Sequence, residues 1–216
     1  MMGRKVAAAY DLFDLAADAM ALLDALAVDR AHIVGLAMGR MIAQIIAAHY
    51  APRTISLTSI ISSTGRRGLP DPQPDAFNAL LAPRPDGTDR EVAIAHLTTI
   101  AHHVISPGFR PSDAEIRNKQ ERIFDRSYYP VGLSRHFMAI LASGSREKIL
   151  ASVQAPTLVI HGSEDPLVSV EHGRDTARAV PNGKITVIDG MGHDLPLALI
   201  PLVRSAIASH CADAGA

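Results

Sequence analysis

His32-Ile33-Val34-Gly35-Leu36-Ala37-Met38-Gly39 is the stretch on which the reading of this chain turns. A short β-branched apolar run over 32–36 meets small residues at once and then a long helical stretch from Met38 to His49. That pattern spells a strand, a tight turn and a helix. Upstream, Leu12, Leu15, Ala16, Ala19, Leu22, Leu23 and Leu26 recur at helical spacing behind Asp11, so the sequence predicts an amphipathic helix over 11–27 with Asp11 as its N-cap. Downstream, strand-like runs return at Ile55–Ile61, Thr157–His161 and Ile185–Ile188. Helical patterns separate the later runs, the alternation of a mostly parallel α/β sheet flanked by helices, and strands so apolar are expected to be covered on both faces.

Between Gly65 and Arg146 the texture changes. Pro70, Pro72, Pro74, Pro83 and Pro85 form a loop-like cluster, and amphipathic helical segments follow at 89–105 and 112–125 without a strand signal. The expected organisation is a sheet core from 1–64 and 146–216, with 65–145 inserted as a helical lid. With 216 residues, 48% hydrophobic and 20% charged, the chain suits one domain with a sizeable core. A net charge of −1 with both signs dispersed gives no electrostatic footprint for nucleic acid or an anionic membrane surface, and small uncharged substrates are the simpler expectation. Cys211 stands alone and can make no internal disulfide or Cys-rich metal site, which favours a reducing, cytoplasmic setting. The N-terminal apolar stretch, Val6 to Ala9, is too short for a signal peptide or a membrane helix. No cofactor or metal is called for.

The turn Gly35-Leu36-Ala37-Met38-Gly39 fits a Gly-x-Ser-x-Gly nucleophile elbow at every position but the serine. The flanking Gly35 and Gly39 are expected to let strand, helix and neighbours approach without Cβ clashes, while the apex residue is held in strained backbone geometry. At that apex Ala37 presents a methyl group, which can neither attack a carbonyl nor hydrogen-bond a histidine. Two later loops bear on the same chemistry. One reads His161-Gly162-Ser163-Glu164-Asp165-Pro166-Leu167-Val168 and the other Gly190-Met191-Gly192-His193-Asp194-Leu195-Pro196. Each places polar residues at the C-terminal end of a strand, where ligands bind in open α/β sheets. An acid on one loop can fix the tautomer of a histidine on the next, as nucleophilic acyl transfer requires.

The chain is similar to α/β-hydrolases of the bacterial carboxylesterase type over nearly its whole length. The resemblance is carried by YDLFDLAADAMALLDALAVDRAHIVGLAMG, LTSIISSTG, APTLVIHGSEDPLV and GMGHDLP. It implies that Ala37 occupies the nucleophilic serine position, that Asp165 is the triad acid and His193 the general base, and that the Met38 backbone N–H is one oxyanion donor. It also implies a carboxylic ester of a small or medium apolar molecule as substrate, with activity lost or strongly reduced by Ala37. The alternative is a pseudoenzyme or small-molecule binding protein. Two departures stand out. Arg40 follows the elbow where a small residue is usual, and its bulk is expected to disturb the turn. The family's first strands and its His-Gly oxyanion loop have no counterpart before Tyr10, so strand 32–36 is expected to expose an apolar edge through which copies pair into a homo-oligomer.

Several residues also carry plainer readings. Asp165 is equally an Asp-Pro turn residue, and Asp194 is a rival partner for His193. Ser62 and Ser63 are substitute nucleophiles or, more simply, a strand-end turn. His102 and His103 point about 100° apart on a helix with no carboxylate at ligand spacing, and read as lid surface and lid core rather than a metal site. His161 reads as a packed neighbour of the acid loop.

Overall fold

In the computed structural model, residues 7–215 are described; Val6 and the residues before it, where the N-terminal apolar stretch begins, lie outside that range. Helix α1, Leu12–Ala25, starts where Asp11 accepts hydrogen bonds from the Phe13 and Asp14 amides while the Asp14 carboxylate accepts the Asp11 N–H. This reciprocal cap satisfies amides that no helical turn could reach. The helix stops short of 27 because Ala27 adopts a left-handed φ of 53°.

Strand β1, Ala31–Leu36, leads through Ala37 into α2, Met38–His49, and then β2, Thr54–Ile60. The stretch that follows is helical: α3, Pro74–Leu81; α4, Arg90–Val104; α5, Asp113–Arg126; α6, Pro130–Ser143; and the short α7, Glu147–Leu150. The two helices expected at 89–105 and 112–125 are α4 and α5. Two further helices, α3 and α6, each begin on a proline at the first helical position, where a missing N–H costs nothing. Pro74 therefore starts a helix inside the cluster read as loop. The chain closes with β3, Thr157–Gly162; α8, Val170–Ala179; β4, Lys184–Ile188; and α9, Ile200–Gly215.

The four strands form one parallel sheet in the order β1-β2-β3-β4. On one face α2 and the 150–155 turn bury Ala43, Ala47, Leu57, Leu150 and Val153, with α1 packed behind as its Leu12 and Met20 cluster with Ile45 of α2. On the other face α9 and the loop after β4 bury Ile60, Ile160, Met191, Leu199 and Val203. β3 is buried at every position and β2 at all but one. The expectation of cover on both faces fails for the outer strands. As edges they leave Val34 and Leu36 in β1 exposed at 47% and 42%, and most of β4 exposed. Residues 197–215 have the length and hydropathy of a membrane span. Here Val203, Ala206 and Ile207 pack on the sheet, and the His210 ring nitrogen Nε2 lies within hydrogen-bond distance of the Leu57 and Pro156 carbonyls.

Candidate active site

The turn between β1 and α2 carries the most telling backbone angle in the molecule. Ala37 sits at φ 50°, ψ −128°, a conformation that costs an L-residue about 1–3 kcal/mol and persists only where its surroundings impose it. Gly35 shows what imposes it. A Cβ there would lie 2.4 Å from the Gly39 carbonyl oxygen and 2.5 Å from the Arg40 Cα, so only glycine lets α2 descend this closely on its strand. Gly39 differs from expectation, because a Cβ there meets nothing within 4 Å. Met38 is the first residue of α2, and its N–H has no carbonyl one turn back to bond.

Arg40 does not disturb the elbow. The turn forms with its strained apex intact, and the arginine runs into the interior at 2% exposure. Its Nε has no hydrogen-bond partner among the described residues. Burial and repulsion from Arg146 push its pKa down to about 9, with Asp165 pulling the other way. Arg146, also buried, donates to Gln44 Oε1 and to the Gly144 and Ser63 carbonyls, tying the end of the helical segment to the sheet. Burial lowers it to about 10. Sequence reading passes over Arg146, since nothing local distinguishes it from a surface arginine.

The loops after β3 and β4 bring Asp165 and His193 together. His193 Nδ1 lies 3.0 and 2.9 Å from the two Asp165 carboxylate oxygens. A carboxylate only accepts, so the ring proton is on Nδ1 and Nε2 is left with a free lone pair. Asp165 Oδ1 also accepts the Leu167 and Val168 amides at 2.9 and 2.8 Å. Burial alone would raise the Asp165 pKa, but the hydrogen bond and charge of His193 and the Val168 amide outweigh it and hold the carboxyl below the usual range. Asp165 is therefore both an Asp-Pro turn residue and the partner of His193.

His161 braces the same loop. Its Nδ1 accepts the Ser62 N–H at 3.1 Å, so the proton is on Nε2, which donates to the Val168 carbonyl at 2.7 Å. The ring is fully buried and its pKa is pushed down to about 4, chiefly by desolvation. The other candidates fall elsewhere. Asp194 does not reach His193; its Oδ1 accepts both the amide and the hydroxyl of Ser106, beyond the end of α4. Ser62 is buried among Gln44, Ser59 and Thr176. Ser63 Oγ is 2.9 Å from His172 Nδ1 and accepts the Gly65 amide. Both are strand-end turn residues. His103 is exposed and His102 half-buried, so neither is a core residue, and among the described residues no metal-ligating cluster forms.

A cavity of about 740 Å³ lies against this site. Leu36, immediately before the apex, and His193 both line it, and Leu97, Val104, Ile116 and Leu195 supply apolar wall. The helical segment is strapped to the histidine loop at its floor. The His193 amide donates to the Val104 carbonyl, and Ser106 Oγ accepts from Gly192 N–H while donating to Asp194. The arrangement offers an imidazole oriented by a carboxylate and a strained, methyl-bearing apex beside a largely apolar chamber.

Against known proteins, residues 3–197 match the family described as the alpha/beta hydrolase fold. The chain is 27% identical over 226 residues to rhodomycin D methylesterase of Streptomyces peucetius, covering 93% of this chain and 73% of that one. It is 30% identical over 191 residues to 2-hydroxy-6-oxononadienedioate/2-hydroxy-6-oxononatrienedioate hydrolase 2 of Pseudomonas putida, covering 83% and 62% respectively. Among solved structures, an N-acyl homoserine lactone degrading enzyme superposes with a TM-score of 0.68 at 29% identity, over 94% of this chain and 78% of that one.

Proposed function

The chain belongs to the α/β-hydrolase fold family, and from that premise we propose that its site is a carboxylic ester hydrolase site lacking its nucleophile, with Ala37 in the serine position. The substrate class is a carboxylic ester of a small or medium apolar molecule, in keeping with an apolar chamber beside His193 and with relatives that include a methylesterase. The segment 65–145 serves as its lid. One observation carries the reading: Asp165 and His193 are hydrogen-bonded at 2.9 Å in the order and geometry of an acid and a base, while the strained elbow is kept at Ala37 with nothing to present.

In the complete reaction a serine at 37 would attack the ester carbonyl, passing its proton to His193 Nε2. Asp165 would stabilise the resulting imidazolium, and the Met38 N–H would take one share of the oxyanion. His193 would then return the proton to the departing alcohol, and water would release the acid by the reverse sequence. Without the hydroxyl, turnover falls by a factor on the order of 10⁶. What remains is water activated directly by His193.

Installing the hydroxyl tests this. Ala37→Ser is expected to raise p-nitrophenyl acetate hydrolysis by roughly a thousandfold or more, part of the interval that serine removal opens. Ala37→Ser combined with His193→Gln is expected to lose that gain. A folded Ala37→Ser protein with no rise would overturn the hydrolase reading in favour of a small-molecule binding protein that uses the same chamber.

A further inference from the structure

The wall of the 740 Å³ cavity has an unequal charge distribution. Arg84, Arg110, Lys119 and Arg122 all line it, and so do two carboxylates, Glu115 and Asp194. Both carboxylates are held by neighbouring backbone and hydroxyl groups. Glu115 accepts the amide and hydroxyl of Ser112 as the N-terminal cap of α5, and Asp194 holds Ser106. Among the described residues, none of the four cations has a carboxylate oxygen within 4.0 Å, whereas Arg66, Arg90 and Arg117 on the same helical segment and its approaches are paired.

The four are not equivalent. Arg110, Lys119 and Arg122 are exposed, with their charges in water. Arg84, on the loop between α3 and α4, is half-buried and borders two cavities at once, the chamber at His193 and a second of about 690 Å³ between α3 and α6. Its Nε is buried with no hydrogen-bond partner among the described residues. His96 on α4, close enough to feel the Arg84 charge, has a buried Nε2 in the same condition. Arg40 shares an unpartnered Nε but lines neither cavity, so Arg84 is set apart by carrying that donor on the cavity wall. A buried guanidinium donor without an acceptor forfeits the hydrogen bond that would offset its desolvation. Arg146 shows how the same fold treats an arginine with a purely structural task, with Nε, Nη1 and Nη2 each given an oxygen.

We infer that Arg84 is the receptor for a carboxylate on the substrate, so that the chamber takes an ester whose apolar body ends in an anionic group: the ester at His193, the anion at Arg84. Arg110, Lys119 and Arg122 line the way in and draw that charge toward the mouth. A guanidinium offers two parallel donors matched to a carboxylate, and a partly desolvated one gains more from the contact than a solvated lysine. The inference rests on the proposed ester site and narrows its substrate class.

The chain as it stands is suited to the test because Ala37 suppresses turnover. Monomethyl suberate and dimethyl suberate share one chain length and differ in one free carboxylate. Titration calorimetry with each, followed in parallel by the His193 imidazole NMR signals, is expected to show the half-ester binding about ten- to a hundredfold more tightly, the range of a charge-assisted hydrogen bond in a partly dry site. Arg84→Gln is expected to erase that preference and Arg84→Lys to keep part of it, while Lys119→Gln changes it by less than about threefold because its charge stays hydrated. Equal binding of both esters, or a preference that survives Arg84→Gln in a protein with unchanged thermal midpoint, would overturn the assignment. If the diester still moves the His193 signals, the ester site stands and only the anion receptor falls. If neither ester moves them, both fall.

Discussion

Replacing Ala37 by glycine removes one methyl group from the apex of the turn, and the protein is expected to become more stable. At φ 50°, ψ −128° the alanine lies where only glycine is at ease, at a cost of about 1–3 kcal/mol. Glycine returns about 0.4–1 kcal/mol of that through the greater freedom of its unfolded chain. Little burial is lost, since Ala37 is only half-buried and its side chain caps nothing. The net gain is about 1 kcal/mol, which for a chain of this size raises the thermal midpoint by about 2–4 °C. Scanning calorimetry on the parent and on Ala37→Gly measures this directly, with Ala37→Ser as the control. Serine carries the same Cβ and is expected to leave the midpoint unchanged. An Ala37→Gly midpoint at or below the parent's, with unchanged circular dichroism, would refute the reasoning that Gly35 and the descending helix hold strain in this elbow.

Stability is expected to fall on acidification in two windows. His161 has a folded pKa of about 4 against an ordinary 6.5, so the unfolded chain binds the proton more readily. Its contribution is complete above about pH 6.5 and is lost toward pH 4, by about 3 kcal/mol, since each tenfold difference in proton affinity between the folded and unfolded chain is worth about 1.4 kcal/mol. Asp165, lowered in the fold, adds a second loss below the ordinary carboxylate range. Denaturant midpoints across pH 4 to 7 read the slope, and His161→Gln should flatten the upper window; a slope untouched by that change would place the effect elsewhere. Asp194→Ala leaves the Ser106 amide and hydroxyl without their acceptor, at about 1–3 kcal/mol. Hydrogen exchange at Gly192 and His193 should quicken with it, and unchanged protection there would show that the helical segment is held to the histidine loop by other contacts.

Much of the site was legible because its signals are local. Strand 32–36, the Gly35-x-Ala37-x-Gly39 turn and the two loops that carry Asp165 and His193 are written in contiguous residues, and a parallel sheet carries such loops to one end of its strands. Asp11 as a cap and the α4 and α5 helices read equally well, each marked by a side chain within three residues of the turn it serves. The helices α3 and α6 did not, because a proline that starts a helix looks in sequence like one that ends it. Arg40 misled for a related reason: bulk beside a tight turn reads as a clash until the direction of the side chain is known, and here it points inward and is buried.

The sequence by itself determined the alternation of strand and helix, the Gly35-x-Ala37-x-Gly39 turn, and the loops on which Asp165 and His193 stand. Periodicity, glycine spacing and residue chemistry act over a few neighbours and need no knowledge of what lies opposite. Which oxygen each polar group meets was decided only by the tertiary structure. Asp194, adjacent to His193 in sequence, stands as a rival to Asp165, yet Asp165 turns to His193 and Asp194 to Ser106, 88 residues away along the chain. Arg84 and Arg146 are likewise alike until folded, when one finds three acceptors and the other leaves a buried nitrogen with none among the described residues. Pairings of this kind depend on distance in space between segments far apart in the chain, which no local pattern records.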